Sequence, residues 1–363
     1  MQSTENTSTQ QQTASKPGPI LLRFDQIDAR DEPWLWQGRI PLGSITTLVG
    51  YGGEGKSLLS SAIAAHVTRG TSFIDGAPCP QGAVVVLAGE DRPKTLKKRY
   101  ETSGADIAKV HLLRGQLIYN RRDLTEVAIT LHDIDTIRTA IEEIGDCKLL
   151  IIDPIGDFIP GIDSNKDNEV RSLLSPLAAL AEEHQLAVLM ISHRKKNSGD
   201  RADNMALGSV AFTAKARSVL HLMADPTDSR QGGKRKLILP GKCNDADPPP
   251  GIAFEITPPD GKIEWDSMPT TLTANEALRI AYAKHKANHG PDAEARLIAE
   301  AYLKEALKGG PCWAKGLMEE AKEAEGISPM TLRRAQKRLG IIAFRPKVPG
   351  AWAWKLPAEE KAG

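Results

Sequence analysis

The chain has 363 residues, of which 40% are hydrophobic, and this is enough for one large domain and a smaller one. A net charge of +1 excludes a polycation that binds nucleic acid over its whole surface, and four cysteines without a CxxC pair suggest neither a zinc site nor a disulfide framework. No apolar run is long enough to cross a membrane and the first residues lack a signal-peptide pattern, so the sequence predicts a cytoplasmic protein without a membrane partner.

Residues 1–18 are rich in Ser, Thr, Gln and Asn, which predicts a disordered tail. From residue 19 to residue 266, strand-like apolar runs alternate with helical patterns, as is typical of an α/β domain with a mostly parallel sheet. The predicted strands are 45–49, 83–88, 110–113, 149–152, 187–191, 218–223 and 236–239, followed by a hairpin through 252–256 and 262–265.

The octapeptide at residues 50–57, Gly-Tyr-Gly-Gly-Glu-Gly-Lys-Ser, has the spacing GxxxxGK[ST] of a phosphate-binding loop. A predicted strand leads into it and a helical pattern leads out, so several backbone N–H groups would point at one polyphosphate. Lys56 would reach the β- and γ-phosphates, and the Ser57 hydroxyl would bind Mg²⁺. The alternative is a glycine-rich turn that happens to carry a lysine. The residues predicted to bind ATP are Gly50, Gly52, Gly53, Glu54, Gly55, Lys56, Ser57 and Leu58.

Three later strands end in polar residues that suit nucleotide chemistry. Asp153 would hold Mg²⁺ beside Ser57, or else it is a residue of a strand-end turn. Glu90 or Asp91 could activate water opposite the γ-phosphate, or both could be acids that precede a helix. We favour Glu90, although spacing alone does not separate it from Asp91. His193 could sense the γ-phosphate, or it could have only a structural role.

In chain order, these motifs resemble those of the RecA/KaiC-like ATPases, and especially the RepA-type hexameric helicases of plasmids and phages, the AAA-25 group. The resemblance spans about residues 20–260 and implies a RecA-like P-loop fold that assembles into a homohexameric ring. The segments that carry it are 33–41, 50–57, 89–91, 149–153, 192–193, 242–244 and 247–254.

The resemblance also implies roles for single residues. Glu90 matches the catalytic glutamate, Asp153 the Walker-B aspartate and His193 the sensor. Arg217 matches an arginine that family members extend into a neighbour's active site, where it would stabilise charge on the γ-phosphoryl oxygens; the alternative is an exposed residue at a strand start. Lys242 lies where a second basic residue acting in trans is often found. The predicted catalytic set is Glu90, Lys56, His193, Arg217 and Lys242.

A basic, glycine-containing segment follows His193 and continues to residue 209. The family resemblance implies that it is the pore loop that grips single-stranded DNA in the ring. Its basic side chains could follow phosphates without reading the sequence of bases. The alternative is a solvated loop. The predicted contacts are Arg194, Lys195, Lys196 and Arg201.

After a linker at 267–291 that carries one helix, residues 292–357 predict a small winged helix–turn–helix domain, and residues 358–363 a tail. Ser328 and Pro329 suit the start of its third helix, at 330–339, which follows a helix at 314–325. Trp352 and Trp354 would lie on the returning strand of the wing, with indoles packed on the helices. The alternative is a winged helix that docks proteins. The residues predicted to contact duplex DNA are Arg333, Arg334, Lys337 and Arg338.

The predicted function is an ATP-hydrolysing motor on DNA, similar to the replicative helicases of mobile elements. One alternative is an ATP-switched initiator or regulator that binds DNA without unwinding it, and another is a KaiC-like ATPase that acts on protein partners. A GTPase is rejected because the fragment at 165–167 that resembles a guanine-reading motif lies in a polar loop. A small-molecule kinase is harder to exclude, but the chain has nothing that resembles a lid arginine cluster.

Overall fold

The computed structural model describes residues 21–26, 33–120, 123–162, 166–194, 202, 211–230, 234–289, 291–346 and 351–357. The predicted tails at 1–18 and 358–363 lie outside these ranges. Within them, no helix combines the length and the apolarity that crossing a membrane requires.

Strands and helices alternate along the larger part of the chain. The strands are β1 (Trp34–Trp36), β2 (Ile40–Pro41), β3 (Ile45–Gly50), β4 (Ala83–Ala88), β5 (Val110–Leu112), β6 (Gly115–Asn120), β7 (Asp123–Ala128), β8 (Cys147–Asp153), β9 (Ala187–His193), β10 (Ser218–Ala224), β11 (Arg235–Cys243), β12 (Ile252–Thr257) and β13 (Lys262–Trp265). The helices are α1 (Lys56–Arg69), α2 (Pro93–Thr102), α3 (Ile134–Ile144), α4 (Asp167–His184), α5 (Ala211–Lys215) and α6 (Ala274–His289). Short 3₁₀ turns lie at Phe24–Gln26, Ile107–Lys109 and Ile155–Phe158.

Nine of these strands form one sheet in the order β13-β12-β11-β10-β3-β9-β8-β4-β5. The neighbours from β10 to β5 are parallel, and β11, β12 and β13 extend the sheet in antiparallel pairs. Parallel strands require crossover connections, which place helices on the faces of a sheet. A large, mostly parallel sheet of this kind fits the predicted P-loop domain.

Helices cover both faces of the sheet, and alternate side chains of each strand reach opposite cores. In β8, Leu150 packs in the core that contains α3 and α4, whereas its neighbour Leu149 packs in the core that contains α1 and α2. These strands are therefore buried on both sides, and their polar residues gather at the strand ends.

The helix α1 begins directly after the predicted phosphate-binding loop. Gly55 turns the chain into it with φ 94°, and Gly70 ends it with φ 65° and an N–H that bonds to the carbonyl of His66. Both φ values are positive, a conformation that favours glycine. The two glycines thus set the bounds of the helix.

Two hairpins were not predicted. The strands β1 and β2 pair with each other, and Trp36 at the end of β1 is fully buried and stacks on Phe73 at 4.2 Å between ring centroids. The strands β6 and β7 form a separate two-stranded sheet that exposes Leu117 and Leu124. Exposed apolar residues on both strands conceal the alternation by which a strand is recognised.

The last part of the chain contains a compact set of helices and strands. These are α7 (Pro291–Ala306), α8 (Ala314–Glu325) and α9 (Pro329–Arg338), with β14 (Cys312–Trp313), β15 (Ile342–Phe344) and β16 (Ala353–Lys355) in the antiparallel order β14-β16-β15. Ser328 Oγ accepts a hydrogen bond from Thr331 N at 3.2 Å, as expected for an N-cap. Trp354 joins the core with Leu332, whereas Trp352 is half exposed and its ring lies 4.7 Å from the guanidinium carbon of Arg345.

The helix predicted within the linker is α6. It packs through Ala274 and Ala277 against Leu237 and Leu239 of β11. The first half of the predicted linker therefore belongs to a core on the antiparallel part of the nine-stranded sheet.

Candidate active site

Four neighbouring strands of the parallel sheet end side by side, and each end carries a predicted site residue. Gly50 at the end of β3 is in register with His193 at the end of β9. Asp153 at the end of β8 is in register with Ala88 of β4, and the next residue, Gly89, donates its N–H to the carbonyl of Asp153 at 3.1 Å. The structure thus brings the phosphate-binding loop and the three predicted strand ends to one edge of the sheet.

The phosphate-binding loop, residues 50–57, is closed by the side chain of Glu54. Glu54 Oε2 accepts a hydrogen bond from Tyr51 N at 2.8 Å, and Oε1 accepts one from Ala224 N at 3.4 Å. Burial raises the pKa of Glu54, and the N–H of Tyr51 opposes that shift. Gly53 and Gly55 have φ values of 76° and 94°. Glu54 therefore acts inside the loop and links it to β10.

The loop has open space in front of it. A Cβ added at Gly52 or Gly53 would meet nothing within 4 Å, whereas one at Gly55 would lie 2.5 Å from Ile256 Cδ1. The first turn of α1 starts at Lys56, and its backbone N–H groups have no partners within the helix. Open space at a glycine turn and a helix N-terminus fits the phosphates of a nucleotide.

Lys56 lies inside the loop and is 5% exposed. Its Nζ donates to the carbonyls of Gly50 at 2.9 Å and Tyr51 at 2.8 Å, and it lies 3.4 Å from His193 Nδ1. Burial lowers the pKa of this ammonium group, and three nearby carboxylates oppose the shift. Lys56 is therefore a positively charged donor placed where terminal phosphates would bind.

Ser57 and Asp153 form the candidate metal site. Burial raises the pKa of Asp153, and the hydrogen bond that it accepts from Ser57 opposes this, together with the charges of Arg99 and Lys56. A hydroxyl and a carboxylate are hard oxygen donors of the kind that Mg²⁺ prefers, with water completing its octahedron. The two side chains therefore fit a Mg²⁺ ion bound with a nucleotide.

The neighbours Glu90 and Asp91 have different surroundings. Asp91 Oδ2 accepts a hydrogen bond from Arg99 Nη1 of α2 at 2.6 Å. Glu90 is exposed, and its charge acts on the Lys56 ammonium. Arg99 lies eight residues after Asp91 and matches no motif, so the sequence gives no sign of this contact.

Arg194 is not where the prediction of a DNA contact requires it. Its side chain is buried, with 3% exposed; the guanidinium carbon lies 5.4 Å from the centroid of the Tyr51 ring, and Nη2 lies 3.2 Å from His221 Nδ1. A guanidinium buried against the phosphate-binding loop in this way is not available to DNA at the surface. The other predicted contacts of this segment, Lys195, Lys196 and Arg201, fall outside the described residues.

Arg217 and Lys242 lie at the ends of the strands opposite the phosphate-binding loop. Arg217 donates its backbone N–H to the carbonyl of Ile45 at the start of β3, and its side chain is 57% exposed. Lys242 Nζ donates to two carbonyls at the end of α5, at 2.9 Å each. The strand from Ile45 to Gly50 spans about 17 Å at ~3.3 Å per residue. The two residues are therefore remote from the phosphate-binding loop of their own chain.

The basic side chains of α9 share an exposed surface, because Leu332 and Ala335 on the other side of the helix are buried. Arg338 Nε lies 3.3 Å from Glu300 Oε1. The four exposed residues are Arg333, Arg334, Lys337 and Arg338.

A family model described as an AAA domain, AAA_25, matches residues 11–199, which is more than half of the chain. The matched stretch contains the phosphate-binding loop and the strand ends with Glu90, Asp153 and His193. The open loop, the buried lysine and the paired hydroxyl and carboxylate are thus parts of a P-loop ATPase domain. The chain belongs to the AAA_25 family.

Proposed function

We propose that this protein is an ATP-hydrolysing motor that acts on DNA and resembles the RepA-type hexameric replicative helicases. The observation that carries the hydrolytic part is the grouping of Lys56, the Ser57–Asp153 pair and Glu90 around one open loop. The DNA-binding part is supported by the exposed basic residues of α9.

Each residue of the site has a distinct task in this proposal. The Lys56 ammonium exchanges a carbonyl of its own loop for a terminal phosphate oxygen, and Ser57 and Asp153 hold Mg²⁺. The metal, when bound, neutralises charge on the phosphate oxygens. Glu90 orients the attacking water and accepts its proton. His193, 3.4 Å from Lys56 Nζ, is placed to respond when that ammonium moves.

The proposal includes a ring of identical subunits. Arg217 and Lys242 lie at the sheet edge opposite the loop, so a part in hydrolysis requires the site of a second copy. Contact between two different surfaces of identical chains closes into a ring when the rotation allows it. A cation supplied from a neighbour would stabilise the γ-phosphoryl charge and make hydrolysis depend on assembly.

The C-terminal part would bind duplex DNA as a winged helix–turn–helix. Its antiparallel strands follow α9, and the basic side chains of that helix would contact phosphates. Such contacts strengthen at low salt because bound counterions are released. The same observation favours the second candidate, an ATP-switched initiator that binds duplex DNA without unwinding it.

Strand displacement on a forked duplex, measured with ATP hydrolysis in the presence and absence of single-stranded DNA, separates these candidates. A motor displaces the strand and hydrolyses ATP faster with single-stranded DNA, and Lys56→Ala abolishes both activities. An initiator binds duplex DNA but displaces nothing. An ATPase without any DNA response would contradict both candidates and favour one that acts on proteins.

The double variant Arg333→Glu/Arg334→Glu tests the C-terminal contact. We expect it to weaken duplex binding at low salt and to leave hydrolysis in the absence of DNA unchanged. Lys304→Glu/Lys308→Glu is the matched control, since it makes the same charge change at exposed positions outside α9. Equal effects of the two double variants would reject a specific role for α9.

A further inference from the structure

We propose that Arg194 is a positioning residue that holds the start of the phosphate-binding loop from the sheet face opposite α1. The inference rests on the proposed nucleotide site. It gives this residue a role different from the surface contact with DNA that the sequence predicts.

The position of Arg194 follows from the alternation of β9. Met190 packs in the core with α3 and α4, and Ile191 packs in the core with α1. Because alternate residues of a strand share a face, Arg194 continues the Met190 face. His193 precedes Arg194 and lies on the other face with Ile191, near Lys56 on the α1 side.

Arg194 contacts the same two loop residues as Lys56. Its backbone N–H donates to the carbonyl of Gly50 at 3.0 Å, and its guanidinium lies against the ring of Tyr51, with 5.4 Å from carbon to centroid. Lys56 Nζ donates to the carbonyls of Gly50 and Tyr51 from the other face. When a phosphate draws the ammonium away from these carbonyls, the contacts of Arg194 remain and keep the loop in place.

The charge of Arg194 also supports the closure of the loop. It stabilises the carboxylate of Glu54, whose oxygen accepts the hydrogen bond from Tyr51 N. On the other side, Nη2 lies 3.2 Å from Nδ1 of His221, which is fully buried in β10. The guanidinium thus joins the loop to the strands on both sides of β3.

A contribution to folding stability does not explain why the Arg194 side chain is buried here. The residue is 3% exposed, and Nε and Nη1 have no hydrogen-bond partner among the described residues. A buried charge without full hydrogen bonding destabilises a fold, and an apolar residue of similar size is often neutral or better. A costly group that persists next to a binding loop points to a role in that loop.

Arg194→Met separates a positioning role from a stabilising one. Loss of a stabilising residue would lower the melting temperature, whereas loss of a positioning residue weakens MgATP binding without lowering it. We expect the Kd for MgATP, measured by calorimetry, to rise by about tenfold. The melting temperature without nucleotide should stay the same or rise. In steady-state hydrolysis the change should appear in KM, with kcat changed by less than about threefold. Arg171→Met, the same substitution at an exposed position of α4, should change none of these.

Tyr51→Leu is a second variant that removes the contact and keeps the arginine, and it should raise the Kd in the same direction. The inference is overturned if Arg194→Met binds MgATP as tightly as the wild type, or if its binding falls only together with its melting temperature and Tyr51→Leu has no effect. A wild type that does not bind MgATP, or a Lys56→Ala variant that binds it equally well, would instead reject the nucleotide site and this inference with it.

Discussion

Glu90 and Asp91 are adjacent in sequence but have different electrostatic surroundings. Asp91 Oδ2 is held by Arg99 Nη1 of α2 at 2.6 Å, so this carboxylate is already engaged in an ion pair. Glu90 is exposed and contributes to the electrostatic field at Lys56. A general base needs a carboxylate that water can reach, so these surroundings favour Glu90.

We therefore predict that Glu90→Gln lowers kcat for ATP hydrolysis by about 10²–10⁴-fold and leaves ATP binding nearly unchanged. Asp91→Asn is the matched change at the neighbouring residue, and it should reduce kcat much less, since it mainly removes an ion pair with α2. Steady-state hydrolysis and calorimetric titration with MgATP measure the two effects. A larger loss of kcat in Asp91→Asn would reverse the roles of the two acids.

Two glycines of the loop differ in the space around their Cα atoms. Gly55→Ala should lower the free energy of unfolding by about 1–3 kcal/mol, because φ is 94° and the added Cβ would lie 2.5 Å from Ile256 Cδ1. Gly52→Ala, whose Cβ would meet nothing within 4 Å, should leave stability nearly unchanged. Denaturant unfolding without nucleotide measures both, and equal losses would contradict the prediction.

The bounds of strands and helices follow from local sequence patterns, whereas contacts between distant residues do not. The strands β4 and β13 have the predicted bounds, because strand patterns between turn residues are visible in the sequence. Asp153 and His193 could be located in the same way, because they stand at the ends of β8 and β9. The β1–β2 hairpin depends on Trp36 stacking on Phe73 and bonding to Asp75, and Arg99 and Arg194 acquire their places only through tertiary contacts. No spacing along the chain encodes such contacts.

An ion pair joins β11 to the end of β10. Arg235 Nη1 donates to Asp225 Oδ2 at 2.6 Å, and Nη2 donates to Asp266 at 2.9 Å. Burial alone would raise the pKa of Asp225, but hydrogen bonds from Thr227 and Arg235 outweigh it and lower the pKa below its ordinary 3.8. The folded state therefore binds this proton more weakly than the unfolded state does.

The stabilisation by Asp225 is fully present above the unfolded pKa and is lost as the pH falls through 3.8 toward the lower folded value. We predict that melting temperature falls less steeply in Asp225→Asn than in the wild type over this acid range. Asp260→Asn, at the turn between β12 and β13, removes a carboxylate outside the ion pair and should follow the wild-type curve. Parallel curves for Asp225→Asn and the wild type would contradict the prediction.

The N-cap of α9 depends on one hydrogen bond, from Thr331 N to Ser328 Oγ. Ser328→Ala removes the acceptor for Thr331 N and should destabilise the helix by about 1 kcal/mol. Ser328→Asp keeps an acceptor and should preserve stability. Amide hydrogen exchange in α9 measures this locally, and we expect it to accelerate by about fivefold in Ser328→Ala alone. Unchanged exchange in Ser328→Ala would mean that packing through Leu332 suffices.

In the whole molecule, the proposed catalytic residues lie at opposite ends of the strands of one sheet. Lys56 and Glu90 lie at the carboxyl ends of the parallel strands, and Arg217 lies about 17 Å away at the other edge, one strand length at ~3.3 Å per residue. Its guanidinium lies 3.7 Å from Asp245 and is 57% exposed. If Arg217 takes part in hydrolysis, as we propose, it does so at the site of another copy.

Mixing two inactive variants tests this division directly. Lys56→Ala lacks the loop cation and Arg217→Ala lacks the residue offered to a neighbour, so each should lose most of its ATP hydrolysis alone. In a one-to-one mixture that assembles at random, about a quarter of the sites combine an intact loop with an intact neighbouring arginine, and activity should return to about that fraction of the wild type. The matched control mixes Lys56→Ala with Glu90→Gln. Both of these defects fall on the site of their own chain, so every site keeps one defect and no activity should return. If the first mixture stays inactive although mass measurement detects mixed oligomers, or if Arg217→Ala alone hydrolyses ATP at the wild-type rate, the arginine does not act between subunits.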